Sequence, residues 1–274
     1  MVSYPTWPSI HEYFFAKEER KIYLSFKLTT MKVKKLLKIL APFIISSAAI
    51  YSGLYYFTPI VMNKGFSFIS AYFIFFHIPL FLLLIASILY YRNEGNLWNL
   101  EAFKARLKLR RMTRTDWIWA IGLFLTGTLF YFGFSEIGNK LTKIPFLAPP
   151  DFFPAEINPN KEPVSGYMFD YCLHKKYWVI PAYFFAWATN ILGEEFMFRG
   201  ILFNNPGNRK AWVFHAILWT GWHFFWKWNL ISILPFSIAL YYTFYRRKNL
   251  WITIFAHGLM NFIPLILITI EIFK

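Results

Sequence analysis

Tyr177-Trp178-Val179-Ile180-Pro181-Ala182-Tyr183-Phe184-Phe185-Ala186-Trp187-Ala188-Thr189-Asn190-Ile191-Leu192-Gly193-Glu194-Glu195-Phe196-Met197-Phe198-Arg199-Gly200-Ile201-Leu202-Phe203 is an apolar run long enough to cross a bilayer, yet it holds two glutamates and an arginine. Ionised side chains cost about 2.5–3.5 kcal/mol each at a membrane centre on insertion scales, so they mark function by default. On a helix, Glu195 and Arg199 stand four residues apart on one face and can pair. Glu194 points about 100° away from that pair and keeps its carboxylate for other work. The blander alternative is that both glutamates only stitch helices together.

The rest of the chain has the same character. Of its 274 residues 57% are hydrophobic, more than a soluble domain of this length needs, so the chain reads as a polytopic membrane protein. The formal charge of +15 could suggest nucleic acid, but the basic residues sit beside apolar spans and no nucleic-acid motif is present. A single cysteine, Cys172, excludes an internal disulfide and a cysteine-rich metal site.

Apolar runs predict an all-α transmembrane bundle of about seven spans: 39–62, 66–91, 116–137, 177–203, 211–229, a shorter 231–245 and 250–272. Pro235 lies in the short one, which is expected to be bent or incomplete. Residues 1–38 form a polar and basic N-terminal segment, and 39–274 the transmembrane domain. Met31-Lys32-Val33-Lys34-Lys35 resembles a translation start, so the first thirty residues are read as dispensable or as a mis-assigned extension. Between the second and third spans, Leu100, Phe103 and Leu107 alternate with Lys104, Lys108 and Arg111 at helical spacing. That predicts a basic amphipathic helix lying at the membrane surface.

Basic clusters precede the first span (Lys32 to Lys38), the third (Lys104 to Arg114), the fifth (Arg209, Lys210) and the seventh (Arg246 to Lys248). Seven crossings with a cytoplasmic N-terminus put all four clusters on one side. The loop 138–176 on the opposite side has five lysines against four acidic residues, and its prolines predict an extended, irregular course. No internal repeat of the kind that marks many transporters is visible.

Other spans carry polar groups that could reach Glu194. His223 ends Trp219-Thr220-Gly221-Trp222-His223, and His257 and Asn261 lie one turn apart on one face. At a rise of ~1.5 Å per residue from the cytoplasmic ends, Glu194 lies about 13 Å deep, His257 about 10, Asn261 about 16 and His223 about 18. Three spans thus offer an acid, two imidazoles and an amide at similar depth. His77 and His215 have no partner motif and are assigned to packing. Lys227, one turn past His223 among tryptophans, either holds a substrate carboxylate or snorkels to the far interface.

Glu194-Glu195-x-x-x-Arg199, an aromatic-x-x-x-His ending at His223, and His257-x-x-x-Asn261 resemble, in order and spacing, the CPBP family: the CAAX-protease and bacteriocin-processing group, also called Abi, which includes the type II CAAX prenyl proteases. The resemblance covers about residues 115–272. Trp219 stands where that family usually has phenylalanine, and preserves an aromatic wall. The resemblance implies an intramembrane endopeptidase with a polar cavity open to the cytoplasmic side. It implies Glu194 as the base that activates water with His223 assisting, His257 and Asn261 as the oxyanion pair, and Glu195 and Arg199 as the supporting pair.

Chemistry is consistent with those roles. Peptide hydrolysis needs a general base and donors aimed at the developing oxyanion, the latter worth about 3–4 kcal/mol each in known cases. Neither serine nor cysteine occurs in the three motifs, which argues against a covalent mechanism. Metal-independent hydrolysis is favoured, so no cofactor is expected. Zinc stays open, with Glu194, His223 and His257 as candidate ligands, although no His-Glu-x-x-His is present. The expected partners are the lipid bilayer and a membrane-associated peptide or protein, in a bacterial plasma membrane. Two rival readings remain: a non-catalytic immunity or scaffold protein that binds a peptide in the same cavity, and a proton-coupled transporter using Glu194 and His223 as a relay.

Overall fold

The structure is a computed structural model that describes residues 33–34, 36–203 and 210–274. The proposed extension before Met31, and Lys32, Lys35 and Arg209 of the basic clusters, lie outside the described residues. Contacts divide the chain into Met1–Pro42, helical where described, and Phe43–Lys274, which carries the bundle and the site.

The fold is all-α. In chain order the helices are α1 (Leu36–Met62), α2 (Phe68–Asn93), α3 (Leu100–Leu107), α4 (Arg114–Leu141), α5 (Val179–Glu194), α6 (Ala211–Trp222), α7 (Leu230–Arg247) and α8 (Leu250–Phe273). α5 continues as a wide π turn, Glu195–Ile201, and α6 as a 3-10 turn, His223–Asn229. Each predicted span coincides with one of these rods. Four of them, α1, α2, α4 and α8, are long and apolar enough by themselves to cross a membrane. The other three fall short for physical reasons. α5 and its π turn hold three charges, α6 is twelve residues long, and α7 ends in Arg246 and Arg247.

Local chemistry explains the boundaries. α4 begins at a capping box in which Thr113 and Asp116 exchange backbone and side-chain hydrogen bonds at 3.1 Å. α3 starts on an Asn99 cap and stops at Lys108, which is left-handed at φ 58°, so Arg111 lies beyond the predicted amphipathic helix. α7 is neither short nor incomplete: it runs eighteen residues with Pro235 inside it. In α1 and α2 a π turn comes just before a proline, Gly53–Phe57 before Pro59 and Phe73–His77 before Pro79. A proline cannot donate to the carbonyl four residues back and its ring crowds it, and a widened turn relieves both. The 138–176 loop is mostly irregular, as predicted, apart from a 3-10 turn at Ala155–Ile157 and a hairpin pairing Tyr167–Met168 with Tyr171–Cys172.

Packing brings the site together. α7 lies against both α4 and α6, α2 against α5, and α8 against α4 and α5. The α2–α5 contact depends on Gly193, where an added Cβ would sit 2.7 Å from the Leu80 carbonyl oxygen. That close approach fixes the height of Glu194, the next residue.

Candidate active site

Two systems of contacts meet at the end of α5. The first is built on Glu195, which is fully buried. Arg199 Nε donates to its Oε2 at 2.6 Å, and Arg199 Nη2 bonds its Oε1, closing the bidentate pair predicted for a four-residue spacing. Thr253 Oγ1 donates to the same Oε2 at 2.7 Å, and His257 Nδ1 lies 2.8 Å from Oε1. A carboxylate oxygen only accepts, so the His257 proton is on Nδ1. One acid at the start of the π turn therefore fixes an arginine on the same turn and two residues of α8. The Arg199 guanidinium stacks over Trp219 at 4.9 Å and Tyr241 at 5.1 Å, so a buried cation is enclosed by one anion and two aromatic faces.

Glu194 belongs to the second system. Its Oε2 accepts a hydrogen bond from Trp219 Nε1 at 2.8 Å, and it makes no other hydrogen bond among the described residues. The Trp219 ring also packs edge-on against His223, with centroids 4.4 Å apart, and against His257 at 5.5 Å. Trp219 is therefore the hub that joins the acid to both imidazoles. His223 Nδ1 lies 2.8 Å from the Trp219 carbonyl, which fixes its proton on Nδ1 and leaves Nε2 as an acceptor in the neutral ring. Asn261 donates from Nδ2 to the His257 carbonyl at 3.2 Å, so it bonds the backbone of its predicted partner and not the ring.

Glu194, His223, His257 and Asn261 share the wall of one cavity of about 300 Å³. The polar cluster expected at similar depth does converge on one space. The same wall includes Tyr131 of α4, Asn229 and Pro264. Nearer the basic helix ends, Arg199, Phe203, Tyr241 and Phe244 are buried, and Asp116 accepts from Arg247 at 2.8 Å and Asn249 at 3.3 Å.

Among the described residues, no three His, Cys, Asp or Glu side chains are grouped to hold a metal. Glu194, His223 and His257 each spend one polar atom on a protein partner. His77 and His215 lie among aromatic rings outside the cavity wall. Lys227 is also outside it, with its ammonium over Tyr55 at 5.3 Å and Phe146 at 5.1 Å.

Sequence reasoning missed two contributors. Trp219 was read as an aromatic wall, although tryptophan alone among the apolar aromatics carries an N–H donor. Thr253 sits one turn before His257 on the same face, which was the available signal.

A helical bundle that gathers a buried acid, a buried and a half-buried imidazole and a half-buried amide around one cavity in apolar surroundings is the architecture of an integral membrane protein with an enzyme-like site. Residues 176–263, about a third of the chain, match the family described as Type II CAAX prenyl endopeptidase Rce1-like, and the match supports a likeness to the CAAX (CPBP) intramembrane proteases. All six motif residues lie within the match, whereas α4, included in the resemblance seen from sequence, lies outside it. No curated protein and no solved structure matches the chain.

Proposed function

We propose that the chain is an intramembrane endopeptidase that cleaves a membrane-associated peptide or protein with water activated by Glu194, without a metal. Its substrate class is the CAAX-type tail of the matched family, and its setting is a bacterial plasma membrane. Glu194 takes a proton from water as the water oxygen attacks the scissile carbonyl. It then gives that proton to the leaving amine as the C–N bond breaks. His223 Nε2 accepts a second hydrogen bond from the water and orients it. His257, held by its Nδ1–H on the Glu195 carboxylate, lines the oxyanion side of the site, and the remaining N–H of Asn261 is offered to the oxyanion. Glu195, Arg199 and Thr253 keep that ring in place. By the distribution of positive charge the basic helix ends and the N-terminus are cytoplasmic.

The observation that carries this reading is the placement of Glu194, His223, His257 and Asn261 on one cavity wall, joined through Trp219. The test compares membrane peptides, by mass spectrometry, in cells carrying the native chain or Glu194→Gln. New termini are expected only with the native chain. Protection or peptide binding that survives Glu194→Gln undiminished, with no cleavage in either strain, would favour the non-catalytic rival.

A further inference from the structure

Asn190 lies one turn before Glu194 on the same face of α5 and lines the same cavity. Only 8% of it is exposed, and its Oδ1 is buried without a hydrogen-bond partner. A buried acceptor left unpaired costs stability, so native structures rarely keep one without a use. Thr128 Oγ1, also on the cavity wall, is a second buried oxygen without a partner. The other amides of this wall are engaged: Asn229 donates to Tyr131 at 2.7 Å, and Asn261 to the His257 carbonyl.

From this juxtaposition we infer that Asn190 binds the main chain of the substrate, a role that rests on the protease reading above. A peptide bond presents a donor and an acceptor in one plane, and so does a carboxamide. Asn190 Oδ1 accepts the N–H of a residue flanking the scissile bond, one helical turn from the carboxylate that activates water. The substrate is thereby held extended, with its carbonyl turned towards Glu194. The cavity, about 300 Å³, suits a short length of extended peptide. Asn190 confers no side-chain selectivity, since every residue but proline carries this N–H. Proline at the flanking position is therefore excluded.

The experiment uses the full-length protein in detergent and a quenched octapeptide ending in a prenylated CAAX box. Asn190→Leu keeps the branched outline of the side chain and removes the amide. It is expected to raise KM about tenfold, the measure of one neutral hydrogen bond, with kcat little changed. Its melting temperature should stay level or rise, because a buried unpaired oxygen has been removed. A packing role would instead lower it. A series of substrates with one backbone N–H replaced by an ester oxygen locates the contact. One position should raise KM about tenfold for the native enzyme and leave Asn190→Leu unaffected, as coupled partners do. Native KM in Asn190→Leu, or ester effects of equal size in both proteins, overturns the Asn190 assignment while leaving the protease reading intact. No cleavage of the octapeptide by the native protein removes the CAAX-type reading, and this inference with it.

Discussion

At the scale of single residues, the site is a division of labour between neighbouring carboxylates. Glu195 is saturated by Arg199, Thr253 and His257, whereas Glu194 keeps one hydrogen bond and a face on the cavity. Glu194→Gln is expected to lower kcat by about 10²–10⁴-fold, the usual worth of a general base, with the melting temperature retained. Arg199→Met acts differently, because it strands a buried anion: about 3–5 kcal/mol of stability should be lost, read by thermal unfolding in detergent. Trp219→Phe restores the aromatic expected from the family, yet leaves Glu194 Oε2 without its donor. It should cost about 1–3 kcal/mol and lower kcat, both measurable on one preparation. The charged and imidazole residues were visible in the sequence because their types are out of place in apolar runs. Trp219, Thr253 and Asn190 were not, because each belongs to a residue type that also serves ordinary packing in a helix.

Among the elements, residues 195–201 were expected to continue an ordinary helix and instead form a π turn. Hydropathy periodicity cannot reveal such a turn, since it has no proline to announce it and its charges are satisfied by tertiary contacts. The turns before Pro59 and Pro79 could have been anticipated from the prolines. Helix positions were readable because every rod is built from apolar residues bounded by basic or turn-forming ones. Gly193 is the position where element packing and site geometry meet. Gly193→Ala would set a methyl group against the Leu80 carbonyl, a backbone atom that cannot rotate away. It should cost about 1–3 kcal/mol and reduce kcat by displacing Glu194, whereas alanine at Gly122, where an added Cβ meets open space, should leave kcat alone.

For the whole molecule, composition showed a membrane bundle, while the count of independent crossings was beyond it, because interior helices covered by protein need not be uniformly apolar. Exposed Cys172 lies in the 138–176 loop, and as the chain's single cysteine it reports orientation directly. With the basic ends cytoplasmic, a membrane-impermeant maleimide should label intact cells, and labelling only after permeabilisation would reverse that orientation. At the basic end, partial burial, then Lys248, Arg106 and Arg110, bring Lys108 down from 10.5 to about 8. Between those values the unfolded chain holds the proton that the folded one has shed, so stability should rise with pH across that window. Lys108→Met should flatten the slope, as followed by thermal unfolding. The sharing of Glu195 between the π turn and α8 has a consequence for biosynthesis. The ribosome delivers Glu195 and Arg199 to the membrane about sixty residues before Thr253 and His257. A nascent chain must carry a half-solvated ion pair until its final helix arrives, so chains arrested at residue 249 should be cleared by quality-control proteases faster than finished ones in a pulse-chase.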